Sequence, residues 1–200
     1  MANISSAATG DWDATSSWSG GAVPVAGDLV TILSGHNITL TQNQPTGVVV
    51  INSGGTLTGG GFKLTLNDAG GATYIFSSVG SGVSGKSAIE GVLDIDITGG
   101  SADRPINEAG TGNIRNLLIN NAQTYKTHYH LTLDGNLTIS AGTLTTNNGS
   151  SDQNLTVTGD ASVTGTLTGN ASAISLGSLE IQSGGTYNAT SGTTTITTGG

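Results

Sequence analysis

Aliphatic and polar residues alternate along short stretches through the whole chain, with Leu, Ile or Val two positions apart and Thr, Asp or Glu between them. This period-two pattern predicts short β-strands with one aliphatic face and one polar face. The stretches that show it are Val30–Ile32, Ile38–Leu40, Leu64–Leu66, Leu93–Ile97, Leu131–Leu133, Leu137–Ile139, Leu155–Val157 and Leu179–Ile181.

A second, shorter motif, Gly-Thr-Leu or Gly-Thr-Tyr, follows many of these stretches after a turn that contains glycine. The longest self-match sets Ile51–Leu57 against Ile181–Tyr187, near opposite ends of the chain. The strand units recur about every 21 residues, which suits a β-solenoid coil rather than a propeller blade of about 40 residues. The sequence therefore predicts an all-β fold, a right-handed parallel β-solenoid of about eight coils, with the hand taken from the crossover rule for parallel strands. A β-sandwich is the alternative, and it explains the recurring Gly-Thr-Leu motif less well.

Two segments depart from the repeat and define the predicted organisation. Residues 1–28 hold the two tryptophans, Trp12 and Trp18, and are predicted to form an N-terminal cap over the first coil. A sugar-stacking platform is the alternative role of these rings. Residues 29–200 form the predicted solenoid, with an irregular coil or lateral loop at 99–130.

Composition agrees with a β fold and excludes several functions. Gly, Thr, Ser and Asn make up about half of the 200 residues, and all four disfavour helix. The net charge is −8 with only five basic residues, which argues against nucleic acid as a partner. No apolar run is long enough for membrane insertion. The absence of cysteine excludes disulfides and thiolate metal sites.

The candidate chemistry is sparse. Asp94 and Asp96 lie on one face of a predicted strand, with Arg104 or Arg115 one or two coils away, as a polysaccharide-degrading site would require. Paired carboxylates on a solvated face are the alternative, and we predict no catalytic residues and no cofactor. Three of the five basic residues fall in 99–130 and are interaction candidates, namely Arg104, Arg115 and Lys126.

His128 and His130 are the candidates for a metal site. Two imidazoles at positions i and i+2 of a strand project to the same face, and across a three-fold axis they would supply six ligands. Surface histidines without metal are the alternative. The prediction for the single chain is no metal site.

The N-terminal residues resemble a known group of proteins. The motif comprises Gly10–Trp12, Ser17–Gly21, Val23–Pro24, Ala26–Ile32 and Ser34–Leu40. This run is similar to the opening of β-solenoid regions in bacterial surface adhesins and in virion proteins of marine bacteriophages, and residues 91–170 resemble the phage group. The resemblance implies a non-enzymatic virion structural protein, as a capsid decoration or a tail fibre or appendage subunit, with an adhesive role included. A methionine start without a secretory signal favours the phage group.

Two further classes stay open. One is a bacterial cell-surface adhesin or carbohydrate-binding module, located outside the cell, and the other is a polysaccharide lyase or hydrolase. The uncharged, strand-like stretch Ser191–Gly200 predicts an unprotected sheet edge that either continues into a further C-terminal domain or stacks on another subunit. We predict a homo-oligomer, taken as a trimer. The expected partners are further copies of the chain, other virion proteins and, for an adhesive role, host surface glycans.

Overall fold

The computed structural model describes residues 1–68, 75–77, 89–100, 104–107 and 114–197. It confirms the predicted fold: the chain is nearly all-β, with 59% strand and 4% helix, and its parallel strands stack as a β-solenoid of about seven turns. Every pairing between named strands is parallel.

The strands are short in the N-terminal half and longer in the C-terminal half. In chain order they are β1 (Asn3–Ser5), β2 (Gly10–Asp11), β3 (Leu29–Ile32), β4 (Asn37–Thr39), β5 (Gln44–Thr46), β6 (Val48–Ile51), β7 (Thr56–Thr58), β8 (Lys63–Asn67), β9 (Phe76–Ser77), β10 (Ile89–Glu90), β11 (Leu93–Gly99), β12 (Arg104–Asn107), β13 (Ile114–Thr127), β14 (Leu131–Leu133), β15 (Leu137–Thr145), β16 (Leu155–Val163), β17 (Thr166–Asn170), β18 (Ile174–Ile181), β19 (Thr186–Ala189) and β20 (Thr194–Ile196). Two 3-10 helices, Thr15–Ser17 and Ser19–Gly21, lie between β2 and β3.

The strands stack in columns, and each column is one face of the solenoid. One column runs through β1, β3, β6, β9 and β12, and continues through the ends of β13 and β15 to β17 and β19. A second runs from β5 through β8 and β11 into the long strands β13, β15, β16 and β18. β2, β4, β7 and β10 form a separate four-stranded sheet in the N-terminal half.

The interior is built from rows of aliphatic side chains that occupy the same position in successive coils. One row consists of Leu66, Ile97, Ile119, Ile139, Val163 and Ile181, paired coil to coil. A single coil buries too little apolar surface to offset its ordering entropy, so neighbours stacked about 4.8 Å apart share one continuous core. The aliphatic and polar residues that alternate in the sequence are therefore the side chains that point alternately into the core and out to solvent.

The N-terminal segment, residues 1–28, contributes strands and buried rings to the solenoid. β1 and β2 already pair with β3 and β4, so the strand ladder begins inside residues 1–28. Trp12 and Trp18 are 0% and 2% exposed and pack edge to face with their ring centroids 5.0 Å apart. The indole Nε1 of Trp18 donates a hydrogen bond to the carbonyl oxygen of Trp12 at 2.6 Å. These rings are part of the core, which leaves no exposed tryptophan platform for a sugar.

The described part of the segment 99–130 is regular strand over most of its length, and a bend follows at residues 128 and 129. β12 pairs with β9 and β13, and β13 is the longest strand of the described chain, spanning two faces of the solenoid. These parts are ladder strands and not a lateral loop. Residues 101–103 and 108–113 of the segment lie outside the described residues.

Candidate functional site

The most extended polar feature is a row of side chains at one corner of the solenoid, formed by Asp94, Asn116, Asn136, Asp160 and Ser178, which we call the corner ladder. The amide Nδ2 of Asn116 donates to Oδ1 of Asp94 at 3.0 Å, and the backbone N–H of Asn136 donates to Oδ1 of Asn116 at 2.8 Å. The backbone N–H of Asp160 donates to Oδ1 of Asn136 at 2.9 Å, and Oγ of Ser178 donates to Oδ1 of Asp160 at 2.6 Å. The side-chain oxygens of Asp94, Asn116, Asn136 and Asp160 thus each accept a hydrogen bond from the next coil, and Ser178 is the last donor of the row.

The paired carboxylates Asp94 and Asp96 are also held in structural contacts. The guanidinium of Arg115 binds Asp94 through two bonds, Nε to Oδ1 at 2.9 Å and a terminal nitrogen to Oδ2 at 2.6 Å. The hydrogen bonds and charge of Asp94 raise the pKa of Arg115. Lys63 lies 2.7 Å from Asp96. A general acid or base must exchange protons with a substrate, and both carboxylates are instead paired with cations of neighbouring coils.

Arg104 faces inward and forms a different pair. One of its terminal nitrogens lies 3.2 Å from Oδ2 of Asp68, whose side chain is fully buried. Tyr125, also fully buried, lies against this pair and donates from its hydroxyl to the carbonyl oxygen of Gly99 at 3.0 Å. We call Asp68, Arg104 and Tyr125 the inner cluster. Burial, and then the charge of Asp68, raise the pKa of Tyr125 to about 12, against an opposing effect of Arg104.

Our sequence reasoning missed Asp68, although the pattern contained a signal for it. Asp68 follows Leu64 and Leu66 at the same two-residue spacing, which places its side chain in the inward register. An acidic residue at an inward position requires a cationic partner, because burying an unpaired charge is costly. Arg104 meets that requirement here, and so it does not contribute to an outer surface.

The three basic interaction candidates therefore do not share one surface. Arg104 is directed inward, Arg115 is bound to Asp94 on the outer side, and Lys126 lies half-buried between the inward residues Tyr125 and Thr127 of β13. A basic binding patch needs several cations on one face. The arrangement of these three residues does not provide it.

His128 and His130 lie outside a strand, so the expectation that they project from one strand face is wrong. β13 ends at Thr127, and both histidines belong to the bend that leads into β14. The ring of His128 packs edge to face against Tyr129 with centroids 5.0 Å apart, and Nδ1 of His130 accepts a hydrogen bond from the backbone N–H of Asn154 at 2.8 Å. Within the described ranges, no three His, Asp or Glu side chains are grouped so as to hold a metal ion.

A polar cluster near the N-terminus gave no signal in the sequence pattern. The carboxylate of Asp13 accepts hydrogen bonds from the side chains of Thr41, Gln42 and Gln44. These bonds, with that from Thr41 the strongest, lower the pKa of Asp13 despite the opposing effect of its partial burial. The cluster fixes the chain that follows Trp12 to the next coil.

Comparison of the chain with protein-family models, curated proteins and solved structures gave no match. In the part of the chain that the structure describes, no helix is long and apolar enough to cross a lipid bilayer. Functional inference therefore depends on the geometry above and on the residues of the N-terminal motif.

Proposed function

We propose that this chain is a non-enzymatic structural protein of a bacteriophage virion, serving as a rod-like capsid decoration or as a subunit of a tail fibre or appendage. The observation that supports this role is the corner ladder together with its ion pairs. The polar side chains of the corner ladder, with the ion pairs of Asp94 and Asp96, are committed to holding one coil on the next. Such a molecule presents a stiff polar surface of Thr, Ser and Asn and is suited to spacing and display.

The same contacts argue against the polysaccharide-degrading alternative. A glycosidase needs two carboxyl groups placed on either side of the scissile bond, one of them able to give up a proton. Asp94 and Asp96, the residues that could have met this need, are neutralised by Arg115 and Lys63. We therefore propose that the outer faces have no hydrolytic activity.

Placement in a virion is supported by the N-terminal motif Gly10–Leu40 and its resemblance to phage β-solenoid proteins. The fold adds a physical reason, since stacked parallel strands without cysteine keep their stability in reducing and oxidising surroundings alike. The proposed partners are other virion proteins and further copies of this chain.

A bacterial surface adhesin or carbohydrate-binding module is the second candidate, and one observation favours it. Tyr129 is 40% exposed at the bend between β13 and β14, beside the exposed His130. The neighbouring turn contains Asn147 and Asp152, whose side chains are hydrogen-bonded at 2.7 Å, and Asn148 donates to the carbonyl oxygen of His128 at 3.1 Å. An exposed ring beside planar polar groups is the kind of surface on which a sugar can stack.

Immunogold labelling distinguishes the two candidates. Antibodies raised against the purified chain are applied in parallel to phage particles and to intact bacteria from the source culture. We expect gold on the particles at regular positions. Gold on the bacterial envelope and none on particles would overturn the virion role in favour of the adhesin.

Glycan-array binding supplies the complementary measurement, with Tyr129→Ala as the variant and Val92→Ala as a control at another exposed site. Binding that is lost in Tyr129→Ala and kept in Val92→Ala would establish a glycan-binding bend. The structural role alone predicts the same background signal for all three proteins.

A further inference from the structure

One face of the solenoid carries two parallel rows of threonine in the C-terminal half of the chain. This face is formed by the last residues of β13 and β15 and by β17 and β19, which stack in continuous register. At each of these four levels, two outward side chains flank one inward side chain. The four levels are Thr124–Lys126, Thr143–Thr145, Thr166–Thr168 and Thr186–Asn188. We call the outward positions of these levels the threonine face.

The glycine-containing motif of the sequence produces the two rows. In Gly142–Thr145 and Gly165–Thr168 the pattern Gly-Thr-Leu-Thr places a buried leucine between two outward threonines. The two motifs pair residue by residue, so that each of these threonines lies against a threonine of the next coil. Threonine is β-branched, which suits the pleated surface of a sheet and restricts its side chain to few rotamers. The rows are therefore regular in both spacing and orientation.

Hydroxyl groups of the threonine face are available to an external partner. Within the described residues, Thr143, Thr166 and Thr168 make no hydrogen bond through their side chains, and all three residues are partly exposed. Thr146 shows the contrast, because its inward hydroxyl donates to the carbonyl oxygen of Gly169 at 2.8 Å. The three outward hydroxyls instead meet solvent, and each can both donate and accept a hydrogen bond.

The threonine face is almost uncharged in a protein whose net charge is −8. Lys126, at the first level, is the one charged side chain among its eight positions, and six of the eight are threonine. The outward row on the adjacent face is less uniform, since it contains Asp96, Leu118 and Glu180. Charged groups are costly to desolvate. A neutral partner with a regular repeat therefore fits the threonine face better than a charged one.

The spacing of the rows identifies such a partner. Threonines of successive coils lie about 4.8 Å apart, and the two rows lie about 6.7 Å apart, which is the rise of two strand residues. In ice each water makes tetrahedral hydrogen bonds of about 2.75 Å, which places second-neighbour oxygens about 4.5 Å apart and gives a repeat of about 7.3 Å along the hexagonal axis. Each spacing of the threonine face is thus within about a tenth of an ice spacing.

We propose that the threonine face binds ice, so that the chain adsorbs to ice crystals and inhibits their growth. The outward hydroxyls take the positions of lattice waters at the crystal surface, and the methyl groups between them order the water that fills the gaps. Each contact is weak, but the rigid stacking of the coils lets several form together, which makes adsorption stable. This activity goes beyond the proposed virion role and does not depend on it.

The test is inhibition of ice recrystallisation by the purified chain in a sucrose solution, together with the shape of single crystals grown in its presence. The unaltered chain is expected to keep crystals small and to facet them. Thr166→Lys places a charged side chain in the middle of the threonine face and is expected to abolish both effects.

Thr56→Lys is the matched control, because Thr56 occupies the same motif in Gly55–Thr58 and is also partly exposed. It lies on the four-stranded N-terminal sheet, where Glu90 pairs with Thr58 and the face is not neutral. Thr56→Lys is expected to keep the full effect on ice. Circular dichroism and melting temperature verify that the variants are folded, and Thr143→Lys supplies the same test if Thr166→Lys does not fold.

Contrary outcomes are distinct. Crystals that coarsen in the presence of the unaltered chain as they do in buffer would overturn the proposal. An effect on ice that Thr166→Lys and Thr143→Lys both keep would place ice binding elsewhere and overturn it as well.

The same variants distinguish two other occupants of the threonine face. Binding to a crystalline polysaccharide such as cellulose that Thr166→Lys abolishes, without any effect of the chain on ice, would indicate a glycan and overturn the proposal. A mass in sedimentation equilibrium that Thr166→Lys lowers, again without any effect on ice, would indicate a second copy of the chain. Immunogold labelling tests the virion role separately, so either proposal can fail without the other.

Discussion

Replacing Tyr125 by phenylalanine removes a hydroxyl from the inner cluster without changing the shape of the ring. That hydroxyl is fully buried and donates to the carbonyl oxygen of Gly99 at 3.0 Å. Loss of the donor leaves a buried acceptor unpaired, which costs about 1 to 2 kcal/mol of unfolding free energy. At neutral pH, Tyr125→Phe is therefore expected to be less stable than the unaltered protein.

The order of stability is expected to reverse at high pH. Burial and the charge of Asp68 raise the pKa of Tyr125 from 10.0 to about 12. Above pH 10 the phenol ionises first in the unfolded chain, so the stability that Tyr125 confers is complete below pH 10 and is lost as pH rises toward 12. Two pKa units correspond to about 3 kcal/mol, which exceeds the cost of the missing hydrogen bond.

Urea unfolding of both proteins, followed by far-ultraviolet circular dichroism from about pH 7 to about pH 12, measures this directly. The difference between the two unfolding free energies isolates Tyr125, because the other titrating groups are common to both. Tyr129→Phe, at an exposed ring, controls for the substitution itself at neutral pH. A difference between Tyr125→Phe and the unaltered protein that is constant with pH would refute the proposed burial and charge environment of Tyr125.

Three other expectations follow from the core, the N-terminal segment and its polar cluster. Ile139→Ala is expected to cost about 3 kcal/mol in urea unfolding, because the side chain lies in a continuous buried row, and Val92→Ala at an exposed site is expected to cost less than about 1 kcal/mol. The fluorescence of Trp12 and Trp18 is expected to resist acrylamide and to be unchanged by added sugars until the protein unfolds; strong quenching in the folded state would contradict their burial. The stability that Asp13 contributes is complete above the ordinary aspartate pKa of 3.8 and is expected to be lost as the pH falls from there through the lowered pKa of Asp13 in the folded state. Asp13→Asn is expected to remove less than about 1 kcal/mol of that fall, because the site is largely solvated.

The fold could be predicted because its main determinant is local. The alternation of aliphatic and polar residues in stretches such as Leu137–Ile139 determines which side chains point inward, and the recurring glycine-containing motifs mark the corners of the coils. Even one of the ion pairs was accessible in principle, since Asp94 and Arg115 are 21 residues apart, about one coil. Arg104 was an equal candidate from the sequence, because coils of unequal length hide which residue of the next coil lies above a given corner.

Other features depend on where a strand stops and on which side chains meet, and alternation alone does not determine either. The spacing of His128 and His130 suggested a shared strand face, but β13 ends at Thr127, so both rings lie in the bend that follows. The cluster around Asp13 joins the first coil to residues 41–44 through side-chain hydrogen bonds that have no periodic signature. The complete burial of the Trp12 side chain likewise depends on packing between coils, which the alternation does not determine.

The distribution of free polar groups indicates where a partner could be recognised. Along the outer corner, side-chain oxygens already accept hydrogen bonds from the coil above, so binding a partner there would require breaking contacts that hold the rod together. The ring of Tyr129 at the bend between β13 and β14 is 40% exposed and lies outside this ladder, so a partner could contact it without breaking the ladder.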